Sequence, residues 1–306
     1  MNFKFKAKIQ NLFSVLPKGE NINYFFQKHV TKSLPISDED FKIKLETVKL
    51  HFDNYVKYSG NIDFKRSRYY EFGSGYDLVI PIGIRSLGFD ELTCIDIREL
   101  VFPELINDTI NRFNKTAGKI SDEFCLFENV PTVTGSNYKN VLSEYFNINY
   151  IAPLDARNTG IESDSIDFIL SNATLEHIPE IHIEDILKEC NRILKPGGIM
   201  SNAIDYRDHW SFFDNNISIY NYLLYSENEW KKLNPSIMYQ NRMRHKDHIQ
   251  KIKNAGFEII SEKLDLADDS EIEKLKTINL NDHFTNNYTF EEIAIKSSML
   301  ILRKNN

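Results

Sequence analysis

Hydrophobic positions recur along this chain with two periods, and the alternation between them lays out the elements. In the first 60 residues the spacing is helical. Leu12, Phe13 and Leu16 share one side of a first helix, residues 23–32 suggest a second, and Phe41, Leu45, Val48, Leu50, Phe52 and Tyr55 give an apolar face to a third over 38–58. Ser37, ahead of Glu39 and Asp40, supplies a cap and first-turn acids for that third helix. From residue 67 onward, short apolar runs bounded by turn residues alternate with amphipathic stretches. Strands are expected at 67–72, 91–95, 149–155, 164–172, 199–205, 257–264 and 297–303. Helices are expected at 77–86, 102–114, 138–146 and 239–255. Gly88 and Gly256 close two of them, and Pro196, Gly197 and Gly198 end another ahead of the fifth strand.

Strands alternating with helices argue for an α/β, doubly wound sheet of seven strands with ligand loops at the carboxyl ends. Residues 1–60 precede the first strand, so they read as a helical cap on a domain spanning 61–306. That cap is either a lid over the ligand end or a stabilising or dimerising addition. Two stretches, at about 115–147 and 206–238, are too long for simple connections and read as insertions. The second carries Tyr206, His209, Trp210, Phe212, Phe213, Tyr220, Tyr222, Tyr225 and Trp230.

Composition narrows the classes. The chain has 306 residues, 42% of them hydrophobic, enough for an ordinary core. A net charge of −7 and a pI near 5.7 argue against a nucleic-acid groove. Cys94, Cys125 and Cys190 form no C-x-x-C pair, so neither a zinc site nor a disulfide framework is indicated, and a reducing cytoplasm fits. No run reaches membrane-spanning length, and no signal-peptide stretch opens the chain. Oligomeric state is not legible at this level.

The candidate chemistry begins at the run Glu71, Phe72, Gly73, Ser74, Gly75, Tyr76, Asp77. Twenty-one residues after Gly75 stands Asp96, followed by Ile97. A glycine turn followed at that distance by a carboxylate suits an adenosine: glycine lets the backbone approach the ligand, and the acid accepts ribose hydroxyls. A dinucleotide fingerprint needs a third glycine, and Leu78 stands there instead. The pattern therefore fails for a nicotinamide oxidoreductase. Glu71 would also repel a pyrophosphate and attract a cationic or amine-bearing ligand.

This arrangement resembles motif I of the class I S-adenosylmethionine-dependent methyltransferases, an acid followed by spaced glycines, with Asp77 in place of the last glycine. Later segments follow in the order that family requires. A strand ends at Asp155 and Ala156. A second runs into Asn172 and continues as Leu175, Glu176, His177. The turn Lys195, Pro196, Gly197, Gly198 precedes the next. The resemblance covers roughly 65–262. It implies a Rossmann-like sheet, mostly parallel with the last strand antiparallel, and S-adenosylmethionine held by Glu71, Gly73, Ser74, Gly75, Asp96, Ile97, Asp155, Ala156 and Asn172. A narrower likeness, to enzymes of bacterial surface-polysaccharide biosynthesis, rests on Tyr69 to Gly73, Asp205 to His209, and Tyr239 to Arg242. It implies a small-molecule or glycan acceptor.

Methyl transfer to a hydroxyl benefits from a general base. The loop after the fifth strand faces the acceptor in this fold and holds Asp205, Asp208 and His209. His209 is the expected base, with Asp205 or Asp208 orienting it; packing beside Trp210 is the plainer role. His177 is the second candidate, against a structural histidine closing its loop. Tyr206 and Trp210 could stack on a sugar ring or form a small core. Arg242 could clamp an acceptor phosphate or carboxylate, or sit on a solvated helix face. Some sugar methyltransferases use magnesium, and Asp205, Asp208 and His209 would be the ligands. No ligand pattern is sharp enough to expect a metal. Methylation of a nitrogen or a carboxylate, and a non-catalytic binding module, stay open beside the hydroxyl reading.

Overall fold

Strand β1 (Arg68–Phe72) sits near the centre of a seven-stranded sheet in the computed structural model, which describes residues 2–17, 19–60 and 66–305. Side chains alternate along it. Tyr69 points into one apolar layer, and Tyr70 and Phe72 into the other. A strand buried on both faces reads as a continuous hydrophobic run, as found here. The other strands are β2 (Glu91–Ile95), β3 (Ile148–Ile151), β4 (Ile166–Asn172), β5 (Leu194–Asp205), β6 (Phe257–Asp265) and β7 (Ser297–Lys304), in the spatial order β3-β2-β1-β4-β5-β7-β6. β1 to β5 are parallel. β7 runs antiparallel to both β5 and β6. Strand order reverses between β1 and β4, and a crevice opens there at the carboxyl ends.

Helices cover both faces. On one lie α3 (Asp38–Ser59), α4 (Val79–Ser86), α5 (Pro103–Thr116) and α6 (Tyr138–Phe146); on the other lie α7 (Glu180–Ile193) and α9 (His245–Asn254). Ser37 caps α3 by accepting from the Asp40 amide, as expected. Residues 1–60 divide. Phe41, Leu45, Val48, Phe52 and Tyr55 of α3 lie in the main core. α1 (Phe3–Val15) and α2 (Gly19–Phe26) instead stand at the ligand end and against the insertion after β5. The expected boundary at 60/61 adjoins residues 61–65, outside the described residues. Among the described residues no helix is long and apolar enough to cross a membrane.

Three expectations need correction. β5 begins at Leu194, ahead of Pro196 to Gly198, because Leu194 already pairs with Ile166; the glycines form an irregularity in the strand instead of ending a helix. The helix expected at 239–255 begins only at His245, leaving 239–244 irregular. Between β6 and β7 the chain adds α10 (Asp269–Lys276), α11 (Asp282–Asn287) and α12 (Phe290–Ala294), an excursion the hydrophobic pattern did not mark. Its sequence sign was present in the capping boxes Asp268 with Glu271 and Thr289 with Glu292. This excursion and the insertion after β5, including α8 (Glu227–Leu233), share a third core built on Trp210, Tyr222, Trp230, Leu275 and Phe284.

Candidate active site

The crevice at the carboxyl ends holds a pocket of about 660 Å³, within the ~300–1,000 Å³ usual for small-molecule sites. Gly73 and Gly75 line it, at φ 73° and 77°. A Cβ on Gly73 would collide with the Thr174 side chain, whereas one on Gly75 would meet nothing. The turn is pinned by the Gly73 amide donating to the Ile95 carbonyl at 2.8 Å. Leu78, where a dinucleotide site has its third glycine, still adopts φ 52°, with its side chain fully buried. The left-handed conformation is kept and the strain is held by packing. Asp77 also has work of its own. Its carboxylate accepts from the Val79 amide at the start of α4 and pairs with Lys44 of α3 at 2.6 Å.

Asp96 lines the same end of the pocket with Ile97, Leu154, Asp155 and Ala156. Burial pushes its carboxyl up to about 7, against the Tyr150 hydroxyl that donates to it at 3.0 Å. Glu71 lies behind the turn, 3% exposed, and accepts from the Tyr69 hydroxyl at 2.8 Å; burial pushes it up to about 8. Ser74, between the two glycines, is buried. Asp155 is gripped by Arg157, whose Nε and Nη2 donate at 2.6–3.1 Å and hold its carboxyl below the usual range. Asn172 Oδ1 accepts from His51 Nε2 at 3.3 Å, on the α3 side of β4. Glycines that leave the backbone open and a buried acid at the wall suit a ribosyl ligand. Gly73, Gly75, Asp96, Ile97, Asp155 and Ala156 would touch it. Glu71, Ser74 and Asn172 stand one layer back.

The other end of the pocket is formed by Ala173, Thr174, His177, Ile178, His209, Phe212, Phe213, Ile237, Met238 and Tyr239. The His177 and His209 rings lie 4.9 Å apart. His209 Nε2 is 3.7 Å from Asp205 Oδ2, and Arg207 donates to the same carboxylate at 2.7 Å. Burial works to raise Asp205, yet His209 and Arg207 outweigh it and hold the group well below the ordinary range. The ring of His177 is open to the pocket, and desolvation by the surrounding walls, aided by His209, lowers it to about 4. The segment 239–242 clasps both histidines. The Tyr239 carbonyl accepts from His177 Nδ1 at 2.8 Å, Gln240 Oε1 accepts from the His209 amide at 3.1 Å, and Asn241 Nδ2 donates to the Leu175 and Ile178 carbonyls.

Four expected site residues are placed elsewhere. Asp208 is fully buried, with one oxygen accepting from the Trp210 amide at 2.8 Å and the other from Asn221 at 2.9 Å, so it does not orient His209. The Tyr206 hydroxyl contacts Ser298 and His245 in the core. Trp210 packs on Phe3 at 6.3 Å and donates to the Leu233 carbonyl, taking the core role weighed for it. Arg242 serves the insertion: its guanidinium donates to the Tyr222 and Tyr225 carbonyls and pairs with Glu227 at 2.6 Å.

Sequence reasoning overlooked Glu176, which is 2% exposed behind the two histidines, with Oε1 accepting from the Asp205 amide at 3.2 Å. Its adjacency to His177 was the available signal. It also overlooked Tyr150 and Arg157, and Gln27, which brings the cap to the pocket rim. There Tyr24 of α2 stacks on Phe102 at 3.7 Å, and Phe102 on Tyr76 at 5.9 Å. Glu176, His177 and His209 each offer one donor atom, all within 4.8 Å of one another, and among the described residues they form a group that could hold a metal.

Residues 123–201 match the family model described as a methyltransferase domain. No curated protein sequence matches the chain. Among solved structures it is similar to a methyltransferase described as dependent on S-adenosylmethionine from Methanosarcina mazei (15% identity, TM-score 0.45, covering 79% of this chain and 93% of that one). It is also similar to a geranyl diphosphate C-methyltransferase from Streptomyces coelicolor, solved with Mg2+, geranyl diphosphate and S-adenosyl-L-homocysteine (9%, TM-score 0.47, covering 85% and 78%). A third, from Leishmania major, is described as a methyltransferase dependent on the same cofactor (9%, TM-score 0.48, covering 99% and 83%).

Proposed function

We propose that this chain is an S-adenosylmethionine-dependent methyltransferase, and that it methylates a hydroxyl of a sugar or a similar small acceptor in surface-glycan assembly. One observation carries the choice of a hydroxyl: His209, with Asp205 at 3.7 Å, stands on the pocket wall beside His177. When bound, the cofactor supplies a methyl group on a positively charged sulfur. An alcohol is a weak nucleophile, and a nearby base that takes its proton quickens the displacement. An imidazole serves near neutral pH, and the Asp205 carboxylate would stabilise the imidazolium that forms. Asp96 would receive the ribose hydroxyls, and Phe212, Phe213, Ile237 and Met238 give the reacting end an apolar lining. The glycan assignment rests on the narrower sequence resemblance. Three unpaired cysteines fit a reducing compartment such as the cytoplasm.

The test is transfer of a labelled methyl group to nucleotide-sugars, glycans, amines and carboxylates offered in parallel. Transfer confined to hydroxyl acceptors is expected. His209→Ala should lower turnover by ~10²–10⁴-fold while leaving S-adenosylhomocysteine affinity unchanged. Clear transfer to an amine or carboxylate alone, with turnover indifferent to that substitution, would replace the hydroxyl reading with the nitrogen or carboxyl one. A non-catalytic module would bind cofactor and transfer to none.

A further inference from the structure

We propose that Glu176, His177 and His209 bind one divalent transition-metal ion, of the zinc or manganese kind, at the acceptor end of the pocket. This rests on the preceding reading of that end as the place where the acceptor sits, and it changes how the acceptor is activated. The donors come from two elements, the short turn after β4 and the loop after β5, and the 239–242 clasp holds both. Three features point to an ion. Glu176 Oε2 is buried without a hydrogen-bond partner, although an orphaned buried carboxylate oxygen is costly. His209 Nε2 is likewise buried without a hydrogen-bond partner, with the Asp205 carboxylate 3.7 Å away. His177 Nδ1 faces the Tyr239 carbonyl at 2.8 Å. A carbonyl only accepts, so Nδ1 carries the hydrogen and the lone pair is on Nε2. An outer partner on the far nitrogen is how ligating histidines are oriented.

Two histidines and one carboxylate are a ligand set for zinc, and for manganese or iron where further positions stay open. The three donor atoms lie within 4.8 Å of one another. Bonds of about 2.1 Å would bring them to roughly 3–3.5 Å apart, so binding draws the side chains inward. The expected set of Asp205, Asp208 and His209 fails, because Asp208 has both oxygens engaged and Asp205 is held by Arg207. With an ion present, His209 is a ligand and no longer the base. An acceptor hydroxyl at an open position would lose its proton more readily, to water entering the open pocket, because a cation there would favour the deprotonated oxygen. The carbon–oxygen bond then forms as the carbon–sulfur bond breaks, and its electron pair stays on sulfur.

The experiment uses the full chain, stripped with a chelator and reloaded with Zn2+, Mn2+, Co2+ or Mg2+. Elemental analysis gives stoichiometry, and calorimetry gives affinity. One transition-metal ion per chain is expected, preferred over Mg2+. Glu176→Ala, His177→Ala and His209→Ala should each weaken binding by ~10–100-fold or more, with S-adenosylhomocysteine affinity and melting temperature as folding controls. Should a variant fail to fold, the visible spectrum of Co2+ in the unaltered protein should still report nitrogen ligation. Substoichiometric metal, or binding that survives loss of both histidines, overturns the proposal. Hydroxyl methylation by the metal-free protein at full rate would sink the metal and leave the hydroxyl reading standing. A stoichiometric ion with transfer only to an amine would do the reverse.

Discussion

Single residues carry the cofactor end. In the proposed reading Asp96 would receive the ribose hydroxyls, and a hydrogen bond to a charged group contributes about 1.5–3 kcal/mol. Asp96→Ala should therefore weaken S-adenosylhomocysteine binding by ~10–100-fold; an unchanged dissociation constant would remove Asp96 from the site. Burial holds Asp96 at about 7 and Glu71 at about 8 before the ligand arrives. A ligand that donates hydrogen bonds and brings a positive charge favours the ionised acids, so binding near pH 6.5–7 should release protons. Calorimetry in buffers of different ionisation enthalpy measures this directly, and proton uptake would contradict it. At Gly73, alanine would meet Thr174 and bear the strain of φ 73°. Gly73→Ala should cut cofactor affinity, whereas Gly75→Ala has open space and only the conformational penalty.

At the scale of elements, two junctions hold the site. The first is the clasp at 239–242, which joins the turn after β4 to the loop after β5. Asn241→Ala removes the bonds to the Leu175 and Ile178 carbonyls. Turnover should fall by ~10–100-fold from misplacement of the histidine, with cofactor affinity retained. Parallel loss of both would mean that the clasp supports the whole crevice. The second is Arg244, fully buried in the third-core region. It donates to the Tyr206, Ile293 and Ile295 carbonyls and to the Tyr222 hydroxyl, all at 2.5–2.7 Å. Arg244→Ala would orphan these acceptors and open a cavity, at a cost of about 3 kcal/mol or more. Denaturant unfolding would show it as a lowered midpoint. In the other layer, a Cβ on Gly83 of α4 would lie 2.8 Å from Val48 of α3. Gly83→Ala should destabilise by ~1–3 kcal/mol and leave the pocket's chemistry unaltered.

For the whole molecule, buried titratable groups set a window of pH stability. Glu71 and Asp96 are raised in the fold, so the native state binds protons more tightly than the unfolded chain. Their contribution is full below about pH 4 and is lost as pH rises through 7 to 8. His51 joins α3 to the sheet through Ser201 at 2.7 Å, and burial lowers it to about 4; His248 is lowered by burial to about 3. These histidines act in the opposite sense: their stabilisation is present above about 6.5 and is lost as pH falls toward 4. Without ligand, thermal stability should peak between these limits, and a bound cofactor should extend the alkaline side. A melting temperature still rising from pH 6 to 8 in the ligand-free protein would contradict the acid assignments.

Local pattern determined much of this protein. The seven strands, the glycine turn, Asp96 and the order of the βα units follow from period, turn chemistry and spacing, which are properties of neighbouring residues. The same information left Trp210, Tyr206, Asp208 and Arg242 with two readings each, because an aromatic or charged residue in a long loop carries no local sign of which way it faces. Packing decided it: the 266–296 excursion and α1 supply the partners that bury Trp210 and its neighbours. Glu176 beside His209 is likewise a product of β4 and β5 lying side by side, with a clasp from 239–242 drawn across them. Contacts between residues that far apart in the chain depend on closure of the whole sheet, and only the tertiary structure supplies that.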